Sequence, residues 1–330
     1  MASIAEISRR TGFSTATVSR ALDIRQCQKV RPETRAAIQK ICREIGFAPQ
    51  YAARALASGK SFSVGLVQEE TLSPSVAYFT NKLFGFFAEQ EYSVLSLPIC
   101  GSDREQIHKQ ALQFVYSARV DGFILQDSVL SQQDAEALIA ANVPFVVFSM
   151  PHSQNCTPGT PNVSVDSVPA IRKIKSLLGQ RAANAALILL DNCVNIRIEN
   201  YERIFQPQKY VIPRTRHYVF NEALSTYEFV LEHADFLLRH KAWICTNDRM
   251  AIGACHALQK LGLTPGRDIA VVGYDNIERN LPDAMLTTID PPISGMSRCC
   301  VDMLIKMITH GKTDCANKVL KADVVVRKTT

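Results

Sequence analysis

Residues 11–22 read Thr-Gly-Phe-Ser-Thr-Ala-Thr-Val-Ser-Arg-Ala-Leu, and this stretch decides how the start of the chain folds. Gly12 supplies a tight turn, Ser14 is a good helix N-cap, and the residues after it read as a short helix. Val18 and Leu22, four apart, share its buried side, while Thr15, Ala16, Ser19 and Arg20 occupy the other. Upstream, Ser3 and Glu6 have the spacing of a capping box that opens a first helix, from Ile4 to about Arg10. Ile4 and Ile7 are expected to face inward, with Phe13 under the turn. Two short helices joined by a glycine turn make a helix-turn-helix, whose second helix is sized for the DNA major groove. Pro32 then opens a third helix with Ile38, Ile41, Cys42 and Ile45 on one face, and Gly46 and Pro49 stop it.

Charge supports that reading. The net charge of the chain is only +6, yet residues 1–60 carry eleven Lys/Arg against four Asp/Glu. The remaining 26 basic and 27 acidic residues nearly cancel, so the excess positive charge lies in the segment that would meet phosphates. At 330 residues and 47% hydrophobic content the chain can build two or three cored domains. Ten cysteines show no CxxC pairing; Cys42, Cys245 and Cys255 fall in or beside apolar positions, as buried thiols of a reducing compartment do. The adjacent Cys299 and Cys300 are read the same way. The N-terminus has no secretory pattern, and no apolar run approaches the roughly eighteen residues of a membrane span. A cytoplasmic protein without membrane contact is expected.

Residues 50–58, Gln-Tyr-Ala-Ala-Arg-Ala-Leu-Ala-Ser, are alanine-rich and helical in pattern but shorter than the roughly twelve to fifteen residues that hold a helix alone. They are either a linker or a helix that forms against a partner. From Phe62 strands alternate with helices. Strands are expected at about 63–68, 93–98, 122–126 and 144–149, then, after a proline-rich loop, at 162–165, 185–190, 215–220, 242–246 and 269–273. Both halves read as βαβ units with parallel sheets, and two such lobes imply a ligand cleft between them.

The sequence resembles the LacI/GalR family of bacterial transcription regulators across nearly its whole length. The resemblance rests on Ala16-Thr-Val-Ser-Arg-Ala-Leu22, Arg31-Pro-Glu-Thr-Arg35, Ile45-Gly-Phe-Ala-Pro49, Ala53-Arg-Ala-Leu56 and Val64-Gly-Leu-Val67. It continues through Val120-Asp-Gly-Phe-Ile-Leu125, Cys245-Thr-Asn-Asp-Arg-Met-Ala251, Asp268-Ile-Ala-Val-Val-Gly-Tyr-Asp275 and Leu286-Thr-Thr-Ile-Asp290. It implies an all-α helix-turn-helix DNA-binding domain at 1–48, a hinge helix at 49–60 and an α/β two-lobed core like that of periplasmic binding proteins at 61–330. The chain would cross between lobes three times, giving a first lobe of about 61–155 and 290–320 and a second of about 161–289 and 321–330. The implied assembly is a homodimer on double-stranded operator DNA, controlled by a small-molecule effector such as a sugar or sugar phosphate.

Carried onto this sequence, Thr15 and Ala16 meet base edges and Arg20 reaches further bases, with guanine O6/N7 the natural target of a guanidinium fork. Thr17 and Ser19 are better placed for phosphates, though either could serve as a cap, and Ser14, the N-cap, is also among the implied DNA contacts. Tyr51, Ala53 and Leu56 belong to the hinge, whose alanines allow paired helices to pack and whose Leu56 wedges a central base step in the minor groove. In the core, Ser75, Gln126, Ser149, Arg197, Asn247 and Asp275 are the implied effector contacts, a set suited to a hydroxyl-rich or anionic ligand. Asn247 and Asp275 could instead cap the segments that follow their strands.

The chain also departs from the family. Leu72-Ser-Pro-Ser-Val-Ala-Tyr78 replaces the usual Ser-Asn-Pro-Phe-Phe-like loop, Ser149-Met150 stands where Asp-Arg is usual, and Asn200 replaces a glycine. These changes leave room for a core that answers to a partner protein instead of a small molecule. Enzyme readings fail on the motifs. Ser58-Gly-Lys-Ser61 imitates the end of a phosphate loop, but Arg54 stands where its first glycine belongs. No dinucleotide fingerprint, zinc-protease helix or nucleophile elbow occurs, and the seven histidines are scattered, so neither catalysis, cofactor nor metal is expected.

Overall fold

The computed structural model of this chain describes residues 3–22, 27–47, 59–69, 74–99, 104–117, 119–149, 159–191, 196–213, 221–311 and 317–330. They belong to two compact units, Met1–Ser61 and Phe62–Thr330. Tyr51, Ala53 and Leu56, and with them most of the expected hinge, lie outside the described residues.

Among the described residues the first unit holds three helices, α1 (Ile4–Thr11), α2 (Thr15–Leu22) and α3 (Pro32–Glu44), with a 3-10 turn at Cys27–Lys29. Its core is small: Ile7, Val18, Ala21, Ile38 and Cys42 are buried, and Phe13, Leu22, Ile41 and Ile45 pack around them. Ile4 does not join this core and is 37% exposed, because it precedes the turn of α1 that meets the other helices. The expected capping box forms only by half. The Ser3 side chain accepts from the Glu6 amide at 3.2 Å, but the Glu6 carboxylate turns to Arg9 (2.7 Å) and Arg10 (2.8 Å). Gly12, at φ 73°, caps α1 in the left-handed conformation that makes the tight turn possible.

The second unit holds two sheets. In chain order its elements are β1 (Ser63–Glu69), α4 (Pro74–Glu89), β2 (Ser93–Ile99), α5 (Arg104–Ser117), β3 (Gly122–Gln126), α6 (Gln132–Ala140), β4 (Phe145–Ser149) and β5 (Asn162–Asp166). There follow α7 (Val168–Leu178), β6 (Ala185–Leu190), α8 (Ile196–Phe205), β7 (Gln208–Ile212), α9 (Glu222–Glu232), the short α10 (Ala234–Leu237), β8 (Ala242–Cys245), α11 (Asp248–Lys260) and β9 (Ala270–Tyr274). The last are β10 (Thr287–Asp290), α12 (Ile293–His310), β11 (Lys318–Lys321) and β12 (Asp323–Val325).

The first sheet runs β11-β5-β4-β3-β1-β2 and the second β12-β10-β9-β8-β6-β7. Among the described residues every strand pairing is parallel except β12 on β10. Central strands buried on both faces read as continuous apolar runs, and β4 and β6 are buried throughout. One expectation needs correction. The strand at 162–166 pairs with β4 and β11 in the first sheet, so the first crossover between lobes follows Asp166 and not the proline-rich loop. The strand expected at 215–220 lies outside the described residues; the described strand beside β6 is Gln208–Ile212. The chain crosses between sheets after β5, after β10 and after β11.

Helices cover both sheets. In the first lobe Ile107, Ala111 and Val115 of α5 and Leu138 of α6 pack on one side of the strands. Phe79, Leu83 and Phe87 of α4 join Met296, Cys300 and Leu304 of α12 on the other, and this cluster continues through Ile171, Ile174 and Tyr201 into the second lobe. On the far side of the second sheet, Phe229 of α9 and Met250, Ala254 and Leu258 of α11 form a separate core. Gly253 permits the close approach of those two helices: a Cβ there would collide with the Ala223 carbonyl oxygen.

Candidate nucleic-acid interface and ligand cleft

Helix α2 is built to present its first turns. The Ser14 hydroxyl accepts from the Thr17 amide (3.2 Å) and lies 2.9 Å from the Thr17 hydroxyl, so the helix start is capped from its own sequence. Val18 and Ala21 are buried against the other helices. That rotation leaves Ser14, Thr15, Ala16, Ser19 and Arg20 exposed, while Thr17 is half-buried and engaged in the cap. The exposed side therefore offers short side chains at its start and a guanidinium one turn later. This arrangement lets the backbone approach a groove closely while a longer donor reaches base edges.

The core carries a cavity of about 150 Å³ where the lobes meet. Pro74, Ser75 and Val76, from the start of α4, line it from the first lobe. Arg197, Glu222, Asn247, Arg249, Tyr274 and Asp275 line it from the second. Of the six residues expected in a cleft, Ser75, Arg197, Asn247 and Asp275 are thus brought together. Gln126 and Ser149 are not among the lining residues. The Gln126 side-chain oxygen accepts from the Glu69 amide at 3.0 Å. Ser149 is wholly buried and its hydroxyl donates to the Asp127 carboxylate at 2.6 Å. Both serve to join neighbouring strand ends in the first sheet.

Asp275 sits in a strained turn. Its φ is 113° and that of Asn276 is 51°, conformations that cost roughly 1–3 kcal/mol each for residues with side chains. Several bonds hold the turn. The Asp275 amide donates to the Ile289 carbonyl (2.9 Å), and Arg279 donates to the carbonyls of Asp275 (3.0 Å) and Asn276 (3.1 Å). The buried Asp248 carboxylate accepts from the Ile277 amide (2.9 Å) and the Thr288 hydroxyl (2.6 Å). A Cβ on Gly273 would strike that carboxylate, which explains the glycine in Val-Val-Gly-Tyr-Asp.

Burial pushes the Asp275 carboxyl up to about 7. Arg197 and a hydrogen bond from Ser75 act the other way, and the negative Asp248 and Glu222 push it further up. Burial likewise raises Asp248 to about 6, against its bonds from Thr288 and Ile277. The Ser75–Asp275 bond joins the lobes across the cavity, as does the Arg279 guanidinium lying 4.5 Å from the Tyr78 ring centroid. The Arg197 guanidinium is 3.6 Å from the Tyr274 ring centroid and donates to the Thr246 carbonyl at 2.7 Å. The Tyr274 hydroxyl is in turn 2.7 Å from that of Ser167, in the crossover between β5 and α7.

Of the two roles that its sequence position left open, Asn247 serves as the helix cap, and it also lines the cavity. Its side-chain oxygen caps α11 by accepting from the Met250 amide at 2.9 Å. Its side-chain nitrogen donates to the Glu222 carboxylate at 2.8 Å. Glu222 was not expected at the site; its one sequence signal is an acid directly after the N-cap Asn221, where a carboxylate sits well at a helix start.

Comparison with known proteins agrees with both units. Residues 3–50 match the family described as bacterial regulatory proteins, lacI family, and residues 175–330 match a periplasmic binding protein-like domain. The HTH-type transcriptional regulator RegA of Clostridium saccharobutylicum is 23% identical over 99% of both chains. The ribose operon repressor of Escherichia coli (strain K12) is 26% identical over 94% of both chains. Among solved structures, the lac repressor dimer bound to operator and the anti-inducer ONPF superimposes with a TM-score of 0.74 at 22% identity, covering 100% of this chain and 99% of that one. A LacI family regulator from Enterococcus faecium with bound ribose gives a TM-score of 0.64 at 20% identity, covering 81% of this chain and 98% of that one. The relatives named here are transcriptional regulators, not enzymes. The chain thus joins a helix-turn-helix domain of the lacI family of bacterial regulatory proteins to a periplasmic binding protein-like core, as its similarity to transcriptional repressors along nearly its whole length also indicates.

Proposed function

We propose that this regulator represses transcription as a homodimer on a pseudo-palindromic operator, with a small hydroxyl-rich molecule between the lobes setting its affinity for DNA. The observation that carries the proposal is the cavity at the lobe junction, where Arg197 and Asp275 converge with Ser75 from the opposite lobe. A cavity of about 150 Å³ is smaller than the roughly 300–1,000 Å³ of drug-sized sites and suits a compact ligand. The ribose carried by the Enterococcus faecium relative is of this class. The exposed start of α2 would read each half-site through the major groove, and Leu56 in residues 49–60 would wedge the centre of the operator. The bend of the bound DNA checks that last assignment.

The two edge strands on the same end of the sheet orders, β2 and β7, favour the dimer. They expose Leu95 (50%) and Val211 (43%), apolar edges of the kind that proteins cover. Ligand between the lobes would compete with the Ser75–Asp275 bond and alter the angle between them. A short hinge is marginally stable, so a small displacement can decide whether it forms. Acting on DNA places the protein in the cytoplasm.

The test is to select bound fragments from genomic DNA and to titrate candidate effectors into the complex. The wild-type complex is expected to respond to a cleft ligand, and Arg197→Ala to bind the same fragment without responding. A retained response in Arg197→Ala would place the ligand elsewhere.

A further inference from the structure

Two of the cavity's polar side chains are also engaged with the protein itself. The Arg197 guanidinium lies over the Tyr274 ring and donates to a backbone carbonyl, and the Asn247 oxygen accepts in the helix cap. Glu222 is different. It is the first residue of α9, and among the described residues its carboxylate takes one hydrogen bond, from Asn247 at 2.8 Å. A carboxylate offers about four acceptor sites and no donor. The pairing depends on the close contact of α9 with α11, which Gly253 allows at the residue adjoining Glu222. A second carboxylate, Asp275, lines the same cavity, and Glu222 and Asp248 both act on it as like charges. The second-lobe wall is therefore rich in acceptors where α9 begins.

We infer that Glu222, held in place by Asn247, contacts the ligand directly and makes the cleft select a hydroxyl or ammonium group over a phosphate or carboxylate at that end. This rests on the reading of the cavity as an effector site and specifies its chemistry. Arg197 and Arg249 also line this wall, so the selection is local: an anionic group brought to the α9 end meets the Glu222 carboxylate beside Asp275, and desolvating like charges together is costly. A hydroxyl or ammonium donates to the same oxygens and forms charge-assisted hydrogen bonds, which are stronger than neutral ones. Asn247 is a positioning residue: it fixes the Glu222 carboxylate from the neighbouring helix. A phosphorylated sugar is excluded at this end of the cleft.

The test uses matched pairs: D-ribose with D-ribose 5-phosphate, D-glucose with D-glucose 6-phosphate, and D-glucosamine with its 6-phosphate. Each is added to the full chain, and the melting temperature and dissociation constant are measured. Wild type should be stabilised by a parent sugar and not by its phosphate. Glu222→Gln keeps the size of the side chain and should lose about tenfold or more in affinity for that parent while narrowing the gap to the phosphate. Asn247→Ser keeps an N-cap acceptor for the Met250 amide and places no charge against Glu222, so the helix cap should survive with little change in the unliganded melting temperature while the preference weakens as in Glu222→Gln. A phosphate that binds wild type as well as its parent, or a preference unchanged in Glu222→Gln, overturns the assignment of Glu222 and leaves the effector site standing. No stabilisation of wild type by any member of the panel overturns the sugar-effector reading, and this assignment with it.

Discussion

The DNA-reading unit and the ligand cleft use polar residues in opposite ways. On α2 the polar residues face outward, and the helix is capped by Ser14 from within the same few residues. At the cleft, Asp275 and the Asp248 that braces its turn are buried, and each is held by partners far away in sequence. The first unit rests on five buried side chains contributed by about forty residues, the second on clusters that run through both lobes. A surface for a polyanion can thus be made locally and cheaply in structure. A selective cavity needs charges that are desolvated and held, which only a large framework can supply.

The largest effect should come from the small core. Ile38→Ala removes a fully buried side chain and should cost roughly 2–5 kcal/mol, a large part of what so small a unit possesses. DNA binding should collapse while calorimetry shows the core melting unchanged. A core transition that falls with it would show that the two units are not energetically separate.

Next in size is a dependence on pH. Asp275 has a folded-state value of about 7 against an ordinary value of 3.8, so between those limits the folded chain holds a proton that the unfolded chain releases. Stability from this group is therefore lost as pH rises from about 4 to about 7, and remains lost above. Asp275→Asn should abolish that decline, gaining roughly 2–4 kcal/mol relative to wild type between pH 4 and pH 8. Ligand donors that stabilise the carboxylate would release protons on binding and make affinity rise over the same interval. Denaturant titrations at the two pH values decide it; a difference that ignores pH removes the buried charge from the account.

The smallest effect belongs to the exposed side of the comparison. Arg20→Ala should lose about 1–3 kcal/mol of operator binding and relax the preference at one base position. Binding measured on operators substituted at each position is the check, and a uniform loss over all of them would make Arg20 a phosphate contact.

How much was legible in the sequence follows the same division. The turn at Gly12, the cap at Ser14 and the start of α3 at Pro32 are local signals, and the structure follows them. Even there two details failed because a neighbour competed: Glu6 prefers two arginines to the reciprocal half of its capping box, and Ile4 lies one turn too early to be covered. In the core, most strands and helices were visible as periodic runs. The sheet to which β5 belongs was not, because alternation along a chain does not tell which sheet a strand joins. Ser149 and Gln126 were implied as effector contacts by the family resemblance; they do not line the cavity, and their side chains bond to neighbouring segments. Glu222 was missed for the converse reason. Its meaning depends on Asn247, 25 residues later, and on a glycine that lets two helices touch.

The strand order also sets a sequence in time. Both sheets are completed by residues 318–325, β11 closing the edge of the first and β12 that of the second, and Thr329 then bonds to the Thr287 amide (2.8 Å) and the Val271 carbonyl (2.7 Å). A ribosome adding about 5–20 residues per second makes the helical unit on the order of ten seconds to a minute before those strands exist. During each synthesis the part shaped for DNA is therefore complete while the part shaped for the signal still lacks an edge strand in both of its sheets.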